Sequence, residues 1–154
     1  SNTNLNGVSS DFIFDNSNIS FNESFRRNLN LILENNKVIL VYPIPEIPFN
    51  PLNKIFESSN SLNYQDLKNH IKTNKLKTPL DKYFIRSKNS FDFLDSFNHK
   101  NLFKVFPHKS FCDNTNCFVH NSDRLFYFDS EHLSVSGASI LADLIIKKIE
   151  EIRF

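Results

Sequence analysis

Val38-Ile39-Leu40-Val41 places four apolar residues in a row, three of them β-branched, between Asn35-Asn36 and a run of prolines at 43, 45, 48 and 51. A continuous apolar stretch of that length, bounded by turn residues, predicts a strand over Lys37–Tyr42 that is buried on both faces, as strands of parallel sheets are. Upstream, Ser20-Phe21-Asn22-Glu23 has the form of a capping box. Phe21, Phe25, Leu29, Ile32 and Leu33 then recur at helical spacing. Residues 21–35 are therefore expected to form a helix with one buried stripe. Helix, tight turn and buried strand make the second half of a β-α-β unit. The fold class is α/β.

Downstream, the prolines make 43–51 an extended loop that cannot be helical. Loops at the carboxyl ends of parallel strands build the sites of open α/β sheets. This loop is either such a wall or a rigid connector. Leu62, Tyr64, Leu67 and Ile71 predict a helix over 62–76. Thr78-Pro79 starts another that runs to about Phe97, with a break allowed near Ser87–Ser90. Leu102–Phe106 is expected to be a second buried strand, ended by Pro107. Arg124–Phe128 reads as a short strand or an extended approach. Ser134 is a good N-cap for a last helix through Ile152, with Ile140, Leu141, Leu144, Ile145 and Ile149 facing the core. Gly137, in the first turn of that helix, costs stability, and a close packing contact is the expected reason.

A chain of 154 residues is one domain by size, 1–154, with 1–18 expected to be partly flexible apart from the island Phe12-Ile13-Phe14. A formal net charge of +1 gives no argument for nucleic acid or for an anionic membrane surface. No apolar run is long enough to span a bilayer. Ser1-Asn2 reads as a scar of tag cleavage, so the chain is expected to be cut from a larger protein that carried any targeting signal.

The chemistry concentrates in Phe128-Asp129-Ser130-Glu131-His132-Leu133-Ser134. A carboxylate three residues before an imidazole can reach back to Nδ1–H. That leaves Nε2 able to take a proton from a nucleophile. The plain alternative is a surface histidine near a helix start, with Asp129 as a helix N-terminal anion. The helix beginning after Ser134 disfavours an imidazolium and Asp129 favours it, a balance expected to leave His132 mostly neutral near pH 7. Glu131 reads as solvated, and His70, His99, His108 and His120 as surface residues. Ser9, in the single Gly-x-Ser near the N-terminus, has no apolar strand before it and is a poor nucleophile candidate. Cys112 and Cys117 either close a small disulfide loop in an oxidising compartment or, with His108 and His120, contribute to a zinc site.

Taken as one string, Tyr127-Phe128-Asp129-x-x-His132-Leu133-Ser134-x-x-Gly137-Ala138 resembles the last sequence block of the SGNH (GDSL-type) esterases and acyltransferases. The closest likeness is to the soluble domain fused to the C-terminus of bacterial family-three membrane acyltransferases. Lys37 to Glu46 looks like the "V-x-L-V-x-P-x-P-E" strand and loop of that domain, and Cys112 and Cys117 match a short cysteine-bounded loop it often carries. The resemblance implies a three-layer αβα fold with an SGNH-hydrolase-like parallel sheet. The strands and the Ser block that should stand before Val38 are not found in this sequence.

It further implies that His132 and Asp129 are catalytic, and that the nucleophilic Ser and oxyanion donors lie upstream of this chain. Without them the chain alone is expected to be inactive. The implied activity is O-acyl transfer, usually acetylation, onto a cell-surface polysaccharide. The implied partners are the linked membrane acyltransferase domain, an acyl donor and the polysaccharide acceptor, with no metal and no cofactor. The implied location is the periplasmic or outer face of a bacterial inner membrane. The competing expectation is a non-catalytic module that binds glycan or docks on a membrane partner.

Overall fold

The computed structural model describes residues 20–59 and 63–153. Ser9, the Phe12-Ile13-Phe14 island and Leu62 lie outside the described residues. The chain divides into two compact units, the first ending at Asn35 and the second beginning at Asn36.

Within the first unit, helix α1 spans Phe21–Asn35. Its start is the expected capping box: the Glu23 amide donates to Ser20 Oγ at 3.3 Å, and the Ser20 amide donates to Glu23 Oε2 at 2.9 Å. The buried stripe is narrower than the spacing suggests. Leu29 and Leu33 are buried, whereas Phe21 and Ile32 are exposed.

In the second unit, strand β1 (Val38–Val41) pairs in parallel with a later strand over Leu102–Val105, Val38 opposite Leu102 and Val41 opposite Val105. Both strands stand where the apolar runs predict them. Their burial is less than expected, because Val38, Ile39 and Leu40 are half-buried and Val41 is exposed. A parallel sheet is dry on both faces only when helices cover both, and this one has two strands among the described residues.

Helix α2 (Pro51–Ser59) begins at the last of the four prolines, where an extended loop is expected. Pro51 is its first residue, a position where the missing N–H costs nothing. Asn50 Oδ1 accepts the Asn53 amide at 3.1 Å and starts the helix. Helix α3 spans Tyr64–Thr73, capped by Asn63. Lys77–Pro79 is strand β2 rather than a helix start, and it pairs antiparallel with a strand over Asn116–Phe118. Helix α4 (Leu80–Asp95) then runs without a break at 87–90. It holds neither Gly nor Pro, and a Lys88–Asp92 ion pair spans one turn there.

The strand at Leu102–Val105 is β3, followed by the short helix α5 (His108–Phe111) and β4 (Asn116–Phe118). The last helix, α6 (Val135–Ile152), begins at the predicted cap. Its apolar face is only half-buried: Ile140, Leu141, Leu144, Ile145 and Ile149 are all intermediate. No helix of the described residues is long and apolar enough to cross a membrane.

Two packed clusters hold the second unit. One joins Ile47, Phe111, Val119, Phe126 and Tyr127, with Leu133 and Ile140 packed against it. The other is aromatic: Tyr42 lies against Phe91 and Phe106, and Tyr83 and Phe84 lie against His108. The first cluster draws one residue or more from the proline-rich loop, from the Cys112–Cys117 region and from the segment entering the Asp-x-x-His block. That shared core brings these three stretches together.

Candidate active site

Between Phe126 and Ser134 the backbone doubles back on itself. Phe128 N–H donates to His132 O at 2.8 Å and Ser134 N–H to Phe126 O at 2.9 Å, with Tyr127 opposite Leu133 in an antiparallel bridge. Arg124–Phe128 is thus an extended approach rather than a regular strand. Asp129 sits at the turn. Its Oδ1 accepts the amides of Glu131 and His132 at 2.8 and 2.7 Å, the self-closing bonds that make Asp a turn former. The same carboxylate meets the ring: His132 Nδ1 lies 2.8 Å from Oδ2 and 3.1 Å from Oδ1. One side chain therefore shapes the loop and orients the imidazole.

The backbone N–H groups of Glu131 and His132, and then the ring, hold the Asp129 carboxyl down to about 2. The hydrogen bond and charge of Asp129 raise His132 above its ordinary value. Of the two opposing influences, Asp129 is the one in direct contact with the ring. The carboxylate touches the ring, whereas the dipole of α6 acts on an exposed side chain through water. His132 is indeed open, its side chain 74% exposed, and Nε2 has no partner among the described residues.

Four hydrogen bonds fasten this loop to the scaffold. Tyr127, fully buried, donates its hydroxyl to Pro45 O at 2.6 Å. Ile47 N–H donates to Ser130 O at 3.1 Å. Ser134 caps α6 by accepting the Gly137 amide at 3.2 Å, and donates its own hydroxyl to Leu125 O at 2.6 Å. Gly137 has the close contact expected of it, since a Cβ there would stand 2.0 Å from Phe126 O. The proline-rich loop is a wall of the Asp129–His132 region as well as a connector. Tyr127 and Ile47 were missed as positioning residues. Tyr127 lies within the motif string, but a single Ile after Glu46 carries no readable signal.

The other candidates separate. Cys112 and Cys117 form a disulfide, which takes both sulfurs out of the zinc reading. His120 is not a surface residue: it is 4% exposed, with Nδ1 2.7 Å from Asn121 O and Nε2 accepting the Leu76 amide at 2.8 Å. His108 is also half-buried, and burial pushes its ring below the ordinary value. His70 contacts Ser58 and Asn74. His99 accepts the Asn101 amide through Nδ1 at 3.1 Å.

The model of a family described as "SGNH domain (fused to AT3 domains)" matches residues 2–147. No curated protein and no solved structure matches the chain.

Proposed function

Because the chain belongs to the family of SGNH domains fused to AT3 domains, we propose that Asp129 and His132 are the orienter and general base of a serine-type acyl-transfer site. The observation that carries this reading is the 2.8 Å contact between His132 Nδ1 and Asp129 Oδ2, with Nε2 left without a partner among the described residues. In such a site a Ser Oγ attacks the acyl carbonyl while Nε2 takes the hydroxyl proton. Asp129 stabilises the imidazolium that forms, and the proton then passes to the leaving group. An acceptor hydroxyl attacks the acyl-enzyme in the second half, again with His132 as base.

In this proposal the nucleophile and the oxyanion donors come from sequence upstream of these 154 residues, which make up the C-terminal part of one SGNH-like domain. The acceptor is a cell-surface polysaccharide, the acyl group is usually acetyl, and the linked AT3 acyltransferase domain delivers it. Such chemistry needs no metal or cofactor. The Cys112–Cys117 disulfide supports an oxidising, extracytoplasmic location at a bacterial inner membrane.

A second reading, a non-catalytic module that binds glycan or docks on the membrane partner, draws support from the exposure of His132. Hydrolysis of a simple acetyl ester separates the two. It would be measured with this chain, with a longer chain extended upstream through a strand-Gly-Asp-Ser-helix block, and with His132→Ala in each. The short chain should be nearly inert, since one missing oxyanion donor alone is worth about 2.7–4 kcal/mol. The longer chain should be active and lose activity in His132→Ala. An inactive longer chain makes the docking module the better reading. Activity in the short chain that disappears in His132→Ala places the nucleophile within it.

A further inference from the structure

Away from the Asp129–His132 loop, a cavity of about 400 Å³ opens beside the C-terminal end of α3. Most of its wall is apolar, from Ile71 and the rings of Phe111, Phe118 and Phe126, with Ser110, Ser122, His120 and Asn121 as the polar remainder. Its rim carries the exposed Lys72 and Lys75, and no Asp or Glu among the described residues lines it. Neither lysine has an ion-pair partner among the described residues. A volume of this size suits a small organic ligand.

The walls are held in place by bonds rather than left as a gap between loose segments. His120 reaches across, accepting the Leu76 amide while its other nitrogen meets Asn121 O. Val119 N–H donates to Leu76 O at 3.1 Å and Phe126 N–H to Val119 O at 2.8 Å. Both sides of the cavity are therefore tied to one backbone frame. Phe111 and Phe126 meet edge-on, with ring centres 5.8 Å apart, and their faces belong to the same buried cluster that supports the Asp-x-x-His loop. Neither Asp129 nor His132 lines the cavity, which is separate from their loop.

We infer that this cavity binds a small amphipathic anion, a single carboxylate on a flat aromatic or short acyl body. The apolar rings would take the body, and the two ammonium groups at the rim would take the charge. A neutral apolar molecule leaves the lysines unused, and a bare anion leaves the rings unused. Lys72 also stands in the last turn of α3, where a cation complements the helix dipole. A test must therefore separate binding from helix stability.

The probe is 2-naphthoate, titrated into this chain by calorimetry and by amide chemical-shift mapping. Its neutral counterpart, 2-naphthalenemethanol, and inorganic phosphate are titrated alongside. Saturable binding of 2-naphthoate is expected, with shifts confined to 71–76, 110–111, 118–122 and 126. Two exposed lysines acting on one carboxylate should make the neutral compound about ten-fold weaker, and phosphate should not bind at this site. The paired variant Lys72→Glu/Lys75→Glu should bind at least as weakly as the wild type binds the alcohol. Lys72→Met/Lys75→Met, which removes charge without reversing it, should fall between them, and a Tm measurement on each variant reads the helix effect separately. Absence of saturable binding, shifts centred on another surface, equal affinity for the alcohol, or wild-type affinity in a folded charge-reversed variant would each overturn the inference.

Discussion

The amide of Ile47 donates to the carbonyl of Ser130 at 3.1 Å, joining two loops 83 residues apart in the sequence. Ser130 lies between Asp129 and His132, so the bond anchors the turn that presents the imidazole. Ile47 is itself buried in the cluster with Phe126 and Tyr127. The loop after β1 thus holds the Asp-x-x-His turn by its backbone and by an apolar side chain together. In an open parallel sheet this is the crevice side, where strand-end loops meet.

Tyr127→Phe tests that anchorage. The substitution keeps the ring and removes the hydroxyl that Pro45 O accepts at 2.6 Å. A buried carbonyl left without its donor should cost about 1–3 kcal/mol, measured by urea unfolding. Hydrogen exchange at the Ile47 amide should speed up in the variant more than exchange in α4. Unchanged exchange at Ile47 would mean that the two loops are held independently.

Gly137→Ala should destabilise the protein although Ala is the better helix former. The added methyl would meet Phe126 O, a backbone atom that already accepts the Ser134 amide and has little room to move. Overpacking of this kind costs about 3 kcal/mol or somewhat more. Ala138→Gly, one residue on and exposed, should cost only about 1 kcal/mol. A thermal or urea comparison of the two variants checks the order, which intrinsic propensity alone would reverse.

The legible parts of this fold are those that local chemistry decides. The Ser20–Glu23 capping box, the apolar runs of β1 and β3 and the Ser134 cap each follow from residues within a turn or two of one another. The Asp129–His132 contact was legible for the same reason, being closed over three residues. What stayed hidden depends on partners distant in sequence. β2 is a strand because Asn116–Phe118 pairs with it, and nothing in Lys77-Thr78-Pro79 announces that partner. His120 is buried because Leu76 and Asn121 offer it backbone groups, and a lone histidine in a sequence does not disclose them. The helix at Pro51 was legible in principle, since Asn-Pro is a cap followed by a first-turn proline. Four prolines in nine residues masked it.

The disulfide leads to a third expectation. Non-reduced protein should show no reactive thiol, because Cys112 and Cys117 are bonded to each other. Replacing both by Ser should cost about 2 kcal/mol by the loop-entropy account, since the closed loop is short. The fold should survive, because Asp113 Oδ1 independently holds the turn by accepting the amides of Thr115 and Asn116 at 2.8 and 2.7 Å. Two reactive thiols in the native protein, or an unfolded double variant, would contradict this.

The Asp129–His132 pair should leave a signature in pH. His132 is raised above its ordinary value of about 6.5, so its contribution to stability is complete below that pH and is lost as pH rises through the folded value. Asp129 is lowered to about 2 from an ordinary value of about 3.9, so its contribution is complete above about 3.9 and is lost as pH falls toward 2. The pair is thus at full strength between about pH 4 and 6.5. The difference in urea midpoint between wild type and His132→Ala should be largest in that window and shrink on both sides. In Asp129→Asn the imidazole loses its carboxylate, and NMR titration of the ring should move its pKa down toward the ordinary value. The turn should loosen less than the ring, because an Asn side-chain oxygen still accepts the amides of Glu131 and His132. A ring that titrates identically in wild type and Asp129→Asn would mean that the two side chains are uncoupled in solution. His132 would then have no orienter, and its reading as a general base would fall.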